Sequence, residues 1–160
     1  MKAMIVDDEK HVREGLLLLA EWERFGIKTV IEAADGEEAM KLVAKERPQI
    51  IFTDMRMPKK DGVALLQWLY TSNWKTKTIV VSGYDDFRYL KETITYQGFD
   101  YLLKPINPTD LNKTLQRAVT AGMSNMAVNG RRSLMNQFIK RNQISLKQLL
   151  IICEKITKKN

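Results

Sequence analysis

Apolar residues along this chain fall into two alternating rhythms. Short, nearly continuous runs rich in Ile, Val, Phe and Leu recur at about Lys2–Val6, Thr29–Ala33, Gln49–Thr53, Thr78–Val81 and Asp100–Leu103. Such runs are expected of strands covered on both faces. Between them, apolar positions recur every three or four residues, which predicts helices. The stripes are Val12, Leu16, Leu19 and Ala20, then Ala39, Met40, Val43 and Ala44. Val63, Leu66 and Tyr70 follow, with Leu65 and Leu69 beside them, and then Phe87, Leu90 and Ile94. Asn107-Pro108 opens the last helix with a cap and a residue suited to the first helical position, ahead of Leu111, Leu115 and Ala118. The order βαβαβαβαβα predicts an α/β fold: a doubly wound, five-stranded parallel sheet between helices, with right-handed crossovers.

In an open sheet of this kind the ligand crevice lies beyond the C-terminal ends of the strands. Strand 1 runs into Asp7-Asp8-Glu9, strand 3 into Asp54, strand 4 into Ser82-Gly83 and strand 5 into Lys104-Pro105. The architecture gathers these distant residues at one edge, and their chemistry agrees. Three crowded carboxylates call for a cation, and hard oxygen donors suit Mg²⁺. With that charge offset, Asp54 is placed to act as a nucleophile toward phosphorus. A Ser82 hydroxyl and a Lys104 ammonium suit phosphate oxygens. Each piece alone has a plainer reading. Asp7 and Asp8 would serve as caps of the first helix, Asp54 and Ser82-Gly83 as turns, and Lys104 as a surface lysine. A nucleotide-binding reading fails at strand 1, where acids stand in place of the glycines a phosphate loop needs.

Composition narrows the class further. With 44% hydrophobic and 28% charged residues, the chain is neither disordered nor a membrane protein by composition. Its longest apolar runs, such as Leu16–Ala20 and Leu149–Cys153, fall well short of the roughly 20 residues a spanning helix needs. The start reads as a strand running into acids rather than as a signal peptide. The single Cys153 rules out an internal disulfide and fits a reducing, cytoplasmic setting. The net charge of +7 is carried by the tail. Residues 121–160 hold eight basic residues and one acid, whereas residues 1–120 are balanced.

Together the pieces resemble the receiver domain of bacterial two-component response regulators. The resemblance rests on Val6-Asp7-Asp8-Glu9, Thr53-Asp54-Met55-Arg56-Met57-Pro58, Asp61-Gly62, Ser82-Gly83-Tyr84 and Tyr101-Leu102-Leu103-Lys104-Pro105, over about residues 1–120. It implies a flavodoxin-like strand order 2-1-3-4-5. It also implies that Asp54 accepts a phosphoryl group from a phosphohistidine of a sensor histidine kinase. Mg²⁺ would be held by Asp8, Asp54 and the backbone carbonyl of Arg56, with Asp7 acting through a metal-bound water. Ser82 and Lys104 would bind the phosphoryl group, Tyr101 would change rotamer as Ser82 moves, and the peptide before Pro105 would be cis. Residues 85–121 would form the output face and carry a homodimer. The run Ser82-Gly83-Tyr84-Asp85-Asp86-Phe87-Arg88-Tyr89, with Gly98-Phe99-Asp100 before strand 5's end, is similar to receivers of AraC-type transcription regulators. A rival reading keeps the Asp nucleophile and Mg²⁺ in an aspartyl-phosphate phosphatase or phosphotransferase. Such enzymes place a general acid two residues after the nucleophile, where this chain has Arg56, so slow self-dephosphorylation is the most expected.

The division expected is a receiver over 1–121 and a basic helical linker, or the start of an output region, over 122–160. Leu134, Met135, Phe138 and Ile139 form one amphipathic stretch. Ser145-Leu146-Lys147-Gln148 reads as a capping box before a second. DNA binding is expected through an output domain outside this sequence, or weakly through the basic tail. Either the chain stops inside a linker or the protein lacks that domain. No membrane contact is expected.

Overall fold

The computed structural model describes residues 1–83 and 87–123, without the Phe87 side chain. The expectations for Tyr84, Asp85 and Asp86, and for the helical stretches of the tail, lie outside the described residues. Five strands, β1 (Lys2–Val6), β2 (Thr29–Ala33), β3 (Ile50–Thr53), β4 (Lys77–Ser82) and β5 (Asp100–Leu103), form one parallel sheet in the order β2-β1-β3-β4-β5. The helices are α1 (Lys10–Leu19), α2 (Gly36–Glu46), α3 (Gly62–Thr71), α4 (Phe87–Thr95) and α5 (Pro108–Met123), with a 3₁₀ turn at Glu23–Phe25. This is the doubly wound, flavodoxin-like sheet expected from the sequence.

Strand alternation sorts the core into two layers. Ala3, Ile5, Ile50, Phe52, Ile79, Val81 and Leu102 pack with Leu16 of α1 and with Leu111, Leu115 and Ala118 of α5. Met4, Val6 and Ile51 face the other way, against Ala39 and Val43 of α2 and Leu65 and Leu69 of α3. Trp22 meets Phe52 edge-on at 5.7 Å in the first layer. Asn107 accepts from the Thr109 and Asp110 amides at 2.8 and 3.2 Å, so α5 starts with the expected cap.

Some faces differ from the apolar pattern. The buried side of α3 runs through Gly62, Leu65, Leu66 and Leu69, leaving Val63 half-buried and Tyr70 exposed. Gly62 sets that rotation because it packs directly on the backbone after β3. Leu19 and Ala44 are exposed rather than buried. β2 is also not a buried strand. It is an edge, with Thr29 and Glu32 exposed and only Ala33 fully covered. Glu32 uses its exposure to pair with Arg13 Nε of α1 at 3.0 Å.

Candidate functional site

The register of the sheet builds the site. Val6 pairs with both Ala33 and Thr53, so the residues that follow, Asp7 and Asp54, emerge side by side. Hydrogen bonding continues one step past the strands. The Asp7 amide donates to the Ala33 carbonyl at 3.1 Å, the Asp54 amide to Val6 at 2.8 Å and the Lys104 amide to Ser82 at 2.8 Å. These bonds fix the backbone beneath three charged side chains. Two close glycine contacts then hold the loop between β3 and α3. A Cβ on Gly62 would lie 2.1 Å from the Asp54 carbonyl oxygen, and one on Gly36 would lie 2.4 Å from that of Lys60. Asp61 caps α3 by accepting from the Ala64 amide, and Asp35, the cap of α2, pairs with Lys59 at 3.0 Å.

Asp7 and Asp54 are buried, whereas Asp8 is exposed. Each offers a carboxylate oxygen, and these oxygens lie within 4.8 Å of one another. Three hard oxygen donors so close together fit Mg²⁺, an exposed member leaving room for water in the coordination shell. Neither acid caps α1. Glu9 is the residue at that position and makes no side-chain cap, while Asp7 Oδ1 accepts from the Glu9 amide at 2.8 Å. The first-helix reading of this pair is therefore not what the structure builds.

Lys104 reaches into the acids from β5. Its Nζ stands 2.9 Å from Asp7 Oδ2, 3.7 Å from Asp54 Oδ1 and 3.9 Å from Glu9 Oε1. Burial works to lower its pKa. The Asp7 hydrogen bond and the charges of Asp54, Asp7 and Glu9 outweigh that, so the ammonium sits above its usual value. Asp54 is pushed above the ordinary carboxylate range, chiefly by burial. Lys104 opposes the shift, Asp7 adds to it, and the Met55 amide, donating at 2.8 Å, opposes it again. A buried acid held up in this way beside a lysine is the pattern expected of a functional carboxylate.

The open cleft, about 300 Å³, is lined by Asp8, Glu9, Asp54, Arg56, Ser82, Gly83, Tyr89 and Lys104. The structure thus brings Asp54, Asp8, Arg56, Ser82 and Lys104 together, with Asp7 at their floor. Tyr101 lies apart, buried in β5 opposite Val80 and not lining the cleft. The Lys104–Pro105 peptide is cis. Three residues were not assigned from sequence. Arg13 Nη1 donates to the Asp7 carbonyl at 2.7 Å. Gly62 belonged to a recognised motif without a role. Tyr89 borders the cleft from α4, and only its place in the Ser82–Tyr89 run pointed to it.

Among the described residues, no helix is long and apolar enough to cross a membrane. The family model for the response regulator receiver domain matches residues 3–116. The transcriptional regulatory protein HptR of Staphylococcus aureus is 38% identical over 130 residues, which cover 81% of this chain and 51% of HptR. The chain therefore spans about half the length of the curated relatives it matches. A crystal structure of a two-component transcriptional regulator AraC from Clostridium phytofermentans superposes with a TM-score of 0.72 at 31% identity, covering 80% of this chain and 99% of that one. The receiver domain of AraT, a response regulator from Geobacillus stearothermophilus, gives 0.70 at 38% identity, covering 74% and 92%. Strand order, strand-end chemistry and these matches agree, and the chain belongs to the response regulator receiver family of two-component systems.

Proposed function

We propose that this chain is a phosphorylation switch in which Asp54 accepts a phosphoryl group from a phosphohistidine of a sensor histidine kinase. The observation that carries this reading is the placement of Asp54. It is a buried carboxylate with a raised pKa, at the paired ends of β1 and β3, with Lys104 3.7 Å away and an open cleft in front. Asp8, Asp54 and the Arg56 carbonyl hold Mg²⁺, with Asp7 beside them. The ion, when bound, supplies the positive charge that lets an anionic donor come near an anionic acceptor. Lys104 and Ser82 then bind phosphoryl oxygens, and Lys104 exchanges part of its hold on Asp7 for the new group. Charge added at Asp54 biases a two-state arrangement of Ser82 and Tyr101.

The output is transcription regulation, as in the relatives, through a DNA-binding region beyond the matched half and a homodimer formed by residues 85–121. Residues 122–160 serve as the basic connection, and the protein works in the cytoplasm. A hydrolytic enzyme is the weaker reading, because Arg56 occupies the place of a general acid and cannot release a proton.

Intact mass after incubation with acetyl phosphate, with and without Mg²⁺, tests the assignment on this chain and on Asp54→Ala. A labile, Mg²⁺-dependent gain of one phosphoryl group that the variant lacks is the expected result. Labelling of the variant at another residue overturns the site, and steady turnover of a phosphomonoester revives the enzyme.

A further inference from the structure

The peptide between Asp7 and Asp8 lies where the sheet runs out. The Asp7 amide makes one more rung to β2, donating to the Ala33 carbonyl at 3.1 Å. The carbonyl of the same residue faces the same neighbour, where a longer β2 would offer it an amide. β2 ends at Ala33 instead, and the Ala34 amide turns to Glu38 Oε2 of α2 at 2.8 Å. Arg13 of α1 takes the part of the missing rung. Its Nη1 donates to the Asp7 carbonyl at 2.7 Å, while its Nε donates to Glu32 Oε1 at 3.0 Å.

This contact is braced on every side. The Arg13 side chain is only 15% exposed although it carries a charge. The helix beneath it is seated on the sheet by buried Leu16 and half-buried Val12. Glu32 takes one edge of the planar guanidinium and leaves another for Asp7. The two acids differ in what else holds them. The Asp7 carboxylate is fixed by the Glu9 amide and by Lys104. Asp8 is exposed, so its backbone is what chiefly aims its carboxylate. The Asp7 carbonyl and the Asp8 amide share one peptide plane, and a bond to that carbonyl sets the plane from which the Asp8 side chain springs.

We propose that Arg13 is a positioning residue for the cation site: by holding the Asp7 carbonyl, braced by Glu32, it aims the Asp8 carboxylate at an ion shared with Asp54. This rests on the Mg²⁺ reading of the Asp7, Asp8 and Asp54 cluster. Arg13 does not line the cleft, so its hold on the peptide is its route to the site. Its positive charge by itself would repel a divalent cation. Geometry and charge therefore pull in opposite directions, and experiment can separate them.

The test follows Mg²⁺ binding through the amide shifts of residues 7–9 in a ¹H–¹⁵N NMR titration, in which signal dispersion also shows that a variant is folded. The unaltered chain is compared with Arg13→Met, Arg13→Lys, Glu32→Gln and the double variant Arg13→Met/Glu32→Gln. Arg13→Met is expected to raise the Mg²⁺ dissociation constant about tenfold, the low end of what a metal site loses with a supporting group. Arg13→Lys keeps the charge without the fork and raises it about threefold. Glu32→Gln also raises it about threefold, and adds nothing once Arg13 is replaced, because it acts through Arg13. The Mg²⁺ concentration giving half-maximal labelling by acetyl phosphate rises in step, while the maximal rate falls by less than that factor. A dissociation constant for Arg13→Met lower than that of the unaltered chain, or within about twofold of it, overturns the proposal, the lower value leaving charge repulsion as all that Arg13 contributes. If Arg13→Met loses its dispersion, Arg13→Lys decides by the same limit. A Glu32→Gln effect that persists in full in the double variant overturns the brace, since it reduces Glu32 to a distant charge. An unaltered chain with no saturable Mg²⁺ shift removes the cation site itself, and the proposal with it.

Discussion

Two buried carboxylates lie at opposite ends of the sheet and are treated in opposite ways. Asp100 opens β5 and is 2% exposed. It accepts from its neighbour's amide at 2.8 Å, from the Thr114 hydroxyl at 3.0 Å and from Arg117 Nη2, so β5 and α5 are tied by a well-satisfied charge. Asp54 follows β3 and is 7% exposed. Its cation stands 3.7 Å away, beyond hydrogen-bond reach and closer to Asp7. The same side chain at similar burial is therefore closed in one place and left open to new partners in the other. A closed carboxylate is structural. An open one, in a cleft, with its pKa raised by burial, is available for chemistry.

The comparison breaks most readily at Asp100. Asp100→Ala leaves the buried Thr114 hydroxyl without this acceptor and Arg117 without this carboxylate. The expected cost is about 3 kcal/mol in urea unfolding, with Asp54 labelling retained in the folded fraction. A loss below about 0.5 kcal/mol, the level of an ordinary surface change, would make the two acids alike after all.

Gly62→Ala sharpens the other side, because it disturbs the backbone that carries Asp54. A Cβ there would meet the Asp54 carbonyl oxygen at 2.1 Å and Met55 Cα at 2.8 Å, both backbone atoms that cannot rotate away. About 2 kcal/mol of destabilisation is expected, with slower labelling in the protein that remains folded. Gly15→Ala in α1 is the control. Nothing lies within 4 Å of its added carbon, so a gain of about 0.5–1 kcal/mol is expected from helix propensity. Equal losses at both glycines would show that the close approach after β3 carries no strain.

These contrasts also mark how far the sequence could be read. The five parallel strands and the gathering of Asp7, Asp54, Ser82 and Lys104 were legible because buried parallel strands write themselves as apolar runs, and the fold places their ends together, whereas the strand order came from the resemblance to receiver domains. The role of Asp100 was not legible. An acid beside an apolar run looks like a strand boundary until α5 is seen to bring Thr114 and Arg117 against it. Nor was the Arg56–Tyr89 contact, which joins a loop to a helix 33 residues away. The exposed edge of β2 and the rotated face of α3 escaped for a related reason. An apolar pattern states which residues are able to be buried, whereas Glu32 pairing with Arg13 and Gly62 meeting a backbone decide which of them are.

The smallest effect, and the most direct measure of openness, comes from Asp54→Asn in the presence of a chelator. The change keeps the shape and removes a buried charge, so it should raise stability by about 1 kcal/mol at neutral pH. Because burial lifts the native pKa above the unfolded value of about 3.9, the native state holds its proton over the interval between the two. The unaltered chain then loses stability as pH rises through that interval and loses no more above it. The advantage of the asparagine should be near zero at the acid end, open as pH rises, and stay constant to neutrality in paired thermal unfolding curves. A variant less stable than the unaltered chain at neutral pH would mean that attraction to Lys104 outweighs burial. Asp54 would then be as closed as Asp100, and the proposed phosphoryl transfer would lose the openness on which it rests.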